Sequence, residues 1–304
     1  MKLSKLHLAV LAIIITNIIW GASSPIFKWA LQDIPPFSFA FLRFLLAALL
    51  LLPFTIHTLH IKRSDITKLM LLSFFGFFIH ISLLLFGLTI SNSINAPIIA
   101  SSAPVFLFLG SIFFLKEKIN KKILYGTVIS LLGVMVIILR PLFDTGLDGS
   151  ITGNLLFVIS TLSFVVYTLL LKDYKFPYSA ATVTFYLFMF ATVIFFPFFL
   201  WETSQGTMEM TLTGRSMLGI LFAAVLTSVV GYVFYNFALK HIRASETGIF
   251  LYIDPVITVL IAGPLLGEQV TLPFMIGSVL VFLGIFVAER RLQYHPIHKL
   301  KRRL

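Results

Sequence analysis

One segment of this chain occurs twice. Ala244 to Glu268, ASETGIFLYIDPVITVLIAGPLLGE, is apolar enough to cross a bilayer, and a near copy, SINAPIIASSAPVFLFLGSIFFLKE, runs from Ser93 to Glu117. A constant offset of 151 aligns Ile98 with Ile249, Pro104 with Pro255, Val105 with Val256, Leu115 with Leu266 and Glu117 with Glu268, and continues to Gly126 with Gly277 and Gly133 with Gly284. A duplicated chain must fold each copy into the same unit, so a fold proposed for one half has to serve the other. The copies differ at a telling position. Asp254, in the middle of its segment, stands where the first copy has Ala103.

The segment is not an apolar island. The chain is 59% hydrophobic and 12% charged, with a mean hydropathy of +1.01, against about 25% charged residues in soluble domains. Apolar runs of the roughly 20 residues that span a bilayer recur along it. Ten are expected, at 6–31, 37–57, 68–90, 93–115, 122–140, 152–172, 180–201, 216–240, 244–266 and 272–289. They are long and uniformly apolar, unlike barrel strands of about ten alternating residues. The first run follows Lys2 and Lys5 but outlasts a signal-peptide core, so it reads as a retained helix. The net charge of +11 is carried by short loops and the tail, as insertion rules require, and no soluble basic domain suggests nucleic-acid binding. With no cysteine, disulfides and thiolate metal sites are excluded.

Basic residues orient the spans. With a cytoplasmic N-terminus, that side receives Lys2, Lys5, Lys62, Arg63, Lys68, the Lys116–Lys122 loop, Lys172, Lys175, Lys240, Arg243 and the tail from Arg290 to Arg303. The other side receives only Lys28, Arg140 and Arg215. Positive residues stay inside, so both termini are expected in the cytoplasm, and the protein in the plasma membrane.

The duplication reaches further at an offset of 144. Lys28 then meets Lys172, Phe44 meets Phe188, Ala47 meets Ala191, Pro53 meets Pro197 and Phe54 meets Phe198. Two repeats follow, 6–140 and 152–290, with a basic cytoplasmic tail over 291–304. Five spans is an odd number, so the second repeat must enter the membrane from the opposite side. The expected fold is all-α and integral to the membrane, with ten helices in two inverted five-helix repeats. Secondary transporters use that architecture for alternating access.

Two five-helix repeats, WGASSPIFKWAL at Trp20–Leu31, LRFLLAALLLLP at Leu42–Pro53, and a proline-bearing helix ending in Leu-x-Glu or Leu-Gly-Glu together resemble the EamA-type transporters of the drug/metabolite transporter superfamily. The resemblance covers about residues 8–290. It implies a ten-helix basket around a central cavity that moves small polar or aromatic metabolites, often outward, and it does not fix the substrate.

Polar residues at membrane depth cost about 2.5–3.5 kcal/mol on insertion scales and mark candidate sites. Asp254 is the deepest. Pro255 lacks an amide hydrogen and is expected to free a carbonyl one turn back, which only protein or a watery cavity can satisfy. Thr247, Asp254 and Thr258 share a face. An ion pair between Asp254 and Arg43 is the structural reading of the same residues. Asn17, Gly21, Ser24 and Lys28 form a polar stripe whose mates are Thr161, Val165, Thr168 and Lys172; Asn17 and Trp20 are assigned to the cavity, the hydroxyls to helix–helix contact. Lys28 and Lys172 are expected to snorkel to opposite interfaces. Tyr232 lies too deep for an interfacial anchor. His80 could shuttle protons or be held by a neighbour. The candidate substrate-binding set is therefore Asp254, Asn17, Trp20, Tyr232, Thr247, Thr258, Arg43 and His80. Gly126, Ser130, Gly133, Gly277 and Gly284 read as packing seams, and Glu117 and Glu268 as helix terminators.

No zinc-protease HExxH, P-loop or GxSxG elbow occurs, so no enzyme activity, metal or cofactor is expected, and the driving force is a substrate or ion gradient. The expected partners are the lipid bilayer, a small-molecule substrate such as an amino acid, and protons. Uptake by exchange, a lipid-carrier flippase, and a membrane enzyme or receptor are the rival readings.

Overall fold

The computed structural model describes residues 5–103, 105–106, 121–144, 149–205, 213–242 and 248–289, and all regular structure among them is helical. In chain order the helices are α1 (Lys5–Ala30), α2 (Pro36–Thr55), α3 (Arg63–Ile90), α4 (Asn95–Ala100), α5 (Lys121–Asp144), α6 (Gly149–Tyr174), α7 (Ala180–Gln205), α8 (Gly214–His241), α9 (Ile253–Leu266) and α10 (Leu272–Glu289). Among the described residues, α1, α2, α3, α6, α7 and α8 are long and apolar enough to cross a membrane. Residues 104 and 107–115 of the expected 93–115 span lie outside the described residues, as do Glu117 and the 291–304 tail.

Local chemistry sets the helix ends. α2 begins at Pro36, where a missing N–H costs nothing because the first-turn donors have no partner within the helix. Its free Phe37 and Ser38 amides are taken instead by the Glu202 carboxylate on α7, at 3.0 and 2.6 Å. α9 ends at Gly267, whose φ of 69° suits glycine, with Gly267 N–H on Gly263 O and Glu268 N–H on Ala262 O. That left-handed turn aims the Glu268 side chain at the Ser93–Ile94 backbone ahead of α4. Glu268 accepts from Ser93 N at 2.8 Å, Ser93 Oγ at 2.9 Å and Ile94 N at 3.1 Å.

The helices pack in matching sets. α1 lies against α8 and α9, and α6 against α3 and α4; α2 pairs with α7, and α5 with α10. The direction of the last two pairs is legible from their contacts. Phe37 of α2 meets Phe198, Phe41 meets Phe199, and Phe44 meets Phe188 and Phe195. From Phe37, beside Phe198 and Glu202, to Phe44, beside Phe188 and Phe195, numbers rise on α2 and fall on α7, so the two run antiparallel. On the other pair, a Cβ at Gly133 would sit 2.6 Å from Gly277 O, and one at Gly284 would sit 2.5 Å from Gly126 O. α5 and α10 are antiparallel too. The small residues read from sequence as a seam do let these backbones touch.

α3 and α8 each contain π-helical turns, over Phe74–Ile79 and Phe222–Tyr232, at positions matched by the 151 offset. A π turn redirects backbone carbonyls away from the helix ladder. Phe75 O takes the Ser163 hydroxyl at 2.7 Å, and Thr227 O takes the Trp20 indole N–H at 3.2 Å. The α8 segment lines the cavity described next through Thr227 and Tyr232, and the α3 segment ends just before His80, which also lines it.

Candidate functional site

The stretch of α3 just after its π turn, the π turn of α8, the middle of α1 and α6, and the start of α9 enclose a cavity of about 100 Å³ that opens to the outside. Its polar wall comes from Trp20, Ser23 and Ser24 on α1, Arg43 on α2, His80 on α3, Ser160 and Thr161 on α6, Thr227 and Tyr232 on α8, and Asp254. The remainder is apolar, with Phe27, Leu84 and Phe164 prominent.

Asp254 reaches this wall by a route that the sequence reading misses. Residues Gly248–Tyr252 form a 3-10 segment, and the α-helix begins only at Ile253. Pro255 therefore stands in the first helical turn, where no amide donor is needed, and does not interrupt a helix. Asp254 sits at the positive end of α9, which favours a carboxylate. Its Oδ1 is buried and meets no donor.

Arg43 is completely buried. Its Nε–H donates to Ser228 Oγ at 2.7 Å, and its guanidinium carbon lies 5.0 Å from the Phe27 ring centre and 4.9 Å from that of Phe44. Nη1 and Nη2 meet no acceptor. The alternative reading, an Asp254–Arg43 ion pair, is not formed: the pairs seen among the described residues include Lys28–Glu268, Lys68–Asp65 and Arg215–Asp33, and none joins Asp254 to Arg43. Both charges face one cavity without touching each other.

Trp20 is pinned by its bond to Thr227 O and packs on Phe164, Tyr232 and Tyr235, with ring centres 5.1–5.7 Å apart. His80 Nδ1 lies 2.8 Å from Ser160 Oγ and 3.0 Å from Ser160 O, so one ring nitrogen is committed to α6. The structure brings Asp254, Arg43, Trp20, Tyr232 and His80 to the cavity wall. It places two candidates elsewhere. Asn17 is buried, with Nδ2 on its own helix at Ile13 O, 2.6 Å away. Thr258 donates to Gly21 O at 2.5 Å and joins α9 to α1. Thr247 lies outside the described residues. Sequence reasoning passed over Ser160, Phe164 and Thr227; the 144 offset, which makes Phe164 the mate of Trp20, was the available signal for Phe164.

Lys28 does not snorkel. It bonds Ser91 O at 2.7 Å and Glu268 Oε1 at 3.0 Å, and so ties the ends of α1, α3 and α9 together. Lys172 bonds Leu239 O and, at 2.9 Å, Ile242 O. Each lysine satisfies carbonyls at the C-terminal end of a helix.

Long apolar helices around a buried polar cavity define a multi-pass membrane protein built like a transporter. The chain belongs to the EamA-like transporter family, whose model matches residues 7–139 and again 151–289. It is 30% identical over 282 residues to an uncharacterized transporter of Archaeoglobus fulgidus, covering 93% of this chain and 98% of that one. It is also 30% identical over 275 residues to the uncharacterized transporter YetK of Bacillus subtilis, covering 88% and 82%. One crystal structure superposes with a TM-score of 0.65 at 16% identity, over 94% of this chain and 98% of that one, a likeness of fold.

Proposed function

We propose that this protein is a secondary transporter of the plasma membrane that exports a small organic metabolite, an amino acid or a related compound, by alternating access. In this reading ten spans form two inverted repeats, 6–140 and 152–290, with both termini and the 291–304 tail in the cytoplasm. The antiparallel course of α2 with α7 and of α5 with α10 supports the inversion, because each is a pair of repeat mates. Asp254 receives a substrate ammonium or a proton, and Trp20 and Tyr232 offer aromatic faces to the bound cation.

The observation that carries the reading is the cavity wall itself. An unpaired carboxylate buried between helices is costly, and its repeat mate Ala103 shows that the scaffold does without one. Flux of radiolabelled amino acids through proteoliposomes, with and without a pH gradient, tests it. Export requires substrate-dependent flux that Asp254→Asn removes, or whose pH dependence it removes. Equal flux with protein-free liposomes would refute transport.

A further inference from the structure

Two charges of opposite sign border one cavity and do not pair. Arg43 is held in place from behind: Ser228 takes Nε–H, and Phe27 and Phe44 flank the guanidinium, leaving both Nη groups without acceptors. Asp254 is 7% exposed, and its Oδ1 lacks a donor. The nearest use for both would be each other, yet no ion pair within 4 Å joins them, although such pairs form elsewhere among the described residues. Nor does the fold demand either charge. The mate of Arg43 is Leu187, that of Asp254 is Ala103, and that of Ser228, which orients the guanidinium, is Phe77. Each of the three polar residues, Arg43 in the first repeat and Ser228 and Asp254 in the second, stands where its mate in the other repeat is apolar.

Leaving a buried charge unpaired is expensive, and the penalty is removed when a partner arrives. A single amine could satisfy Asp254, but it would place a second cation in the cavity with Arg43. A single carboxylate would meet Arg43 and repel Asp254. A molecule with both charges answers both walls at once, and the apolar surface of Phe27, Leu84 and Phe164 suits the hydrocarbon part between and beside them. Guanidinium Nη groups match a carboxylate in a two-point, planar fashion that an ammonium cannot imitate.

We infer that the cavity selects zwitterions, with Arg43 as the anion anchor and specificity-determining residue and Asp254 as the cation anchor. The inference rests on the transport reading above for its setting, and adds that the absence of either charge on the ligand excludes it.

Three pools matched in carbon skeleton decide the matter: the standard amino acids, their decarboxylated amines and their deaminated acids. Each is offered to the full-length protein in nanodiscs, with the thermal-unfolding shift as readout, and to proteoliposomes for flux. The wild-type protein should respond to the amino-acid pool at least tenfold more sensitively than to either other pool. Arg43→Gln should bring the amines level with the amino acids, and Asp254→Asn should do the same for the deaminated acids. Arg43→Lys keeps the charge without the fork; it should still exclude amines while weakening zwitterion binding, and it covers the case in which Arg43→Gln fails to fold. A wild-type response to amines or acids as strong as to amino acids overturns the inference, and so does no response to any pool. The two readings fail separately. Amines bound and carried would leave transport standing and end zwitterion selection, whereas amino acids bound but never carried would do the reverse.

Discussion

Thr16 on α1 donates to Gly231 O on α8 at 3.2 Å, and Ser160 on α6 donates to His80 O on α3 at 2.9 Å. Ser160 is the mate of Thr16, and His80 of Gly231. Lys28 bonds Ser91 O and Lys172 bonds Ile242 O, again mates on both sides. Between helices, then, the first and second halves repeat the same contacts with side chains that are only loosely alike. Around the cavity they part company: Trp20 faces Phe164, Tyr232 corresponds to Ile81, Asp254 to Ala103 and Arg43 to Leu187. The difference shows where each position answers to the scaffold and where it answers to something outside it. A backbone carbonyl accepts from any small hydroxyl, so scaffold contacts survive substitution. Asp254 Oδ1 and the Arg43 Nη groups meet no partner on another helix, so their chemistry can change in one half alone.

The largest expected effect attacks the shared scaffold. A Cβ on Gly284 would run into the Ser130 backbone nitrogen and Gly126 O, so Gly284→Leu should lower stability by about 3 kcal/mol or more. Gly214→Ala, with nothing near its added methyl, should leave the unfolding temperature unchanged. Comparable stability of the two variants would dissolve the seam.

Next comes a split within the second half. Asp254→Asn should reduce flux at least tenfold, about 1.4 kcal/mol of transition-state stabilisation, while thermal unfolding stays near wild type. Glu268→Gln should do the opposite to stability, losing about 2 kcal/mol because charge-assisted bonds to Lys28, Ser93 and Ile94 weaken. If Asp254→Asn instead unfolds early with its remaining flux intact, the division between scaffold and wall is wrong at that residue.

The smallest effect compares mates directly. Thr16→Ala removes one contact across helices and should cost about 1 kcal/mol. Ser160→Ala should cost more, because it also strips a partner from His80 Nδ1. Chemical denaturation of the two variants side by side would show the order, and a reversed order would make the His80 contact irrelevant to stability.

Much of the scaffold was legible in the sequence because the duplication prints packing twice: the 151 offset picked out Gly126, Gly133, Gly277 and Gly284, which do form the seam. Asp254 and Arg43 stood out because charge at membrane depth is rare. Spacing failed where the partner lies far along the chain. Thr258 shares a helix face with Asp254, but Gly21 O, 237 positions away, claims its hydroxyl. Lys28 seemed free to reach the interface until Glu268, 240 positions on, was folded onto it by the turn at Gly267. Pro255 read as a helix interruption because nothing in composition distinguishes a 3-10 approach from an α-helix.

The seam between α5 and α10 has one more consequence. Gly133 touches Gly277, and the mates of those two residues, Gly284 and Gly126, touch each other. This is the signature of an isologous interface, in which one patch binds its own copy. A half-length chain carrying only the first repeat would already hold both faces needed to join a second molecule of itself, and could do so only if the two lay in the bilayer in opposite orientations. In such a pair any charge placed in the cavity would appear twice, once from each subunit. Joining them in one polypeptide is what allows Arg43 and Asp254 to occur once each.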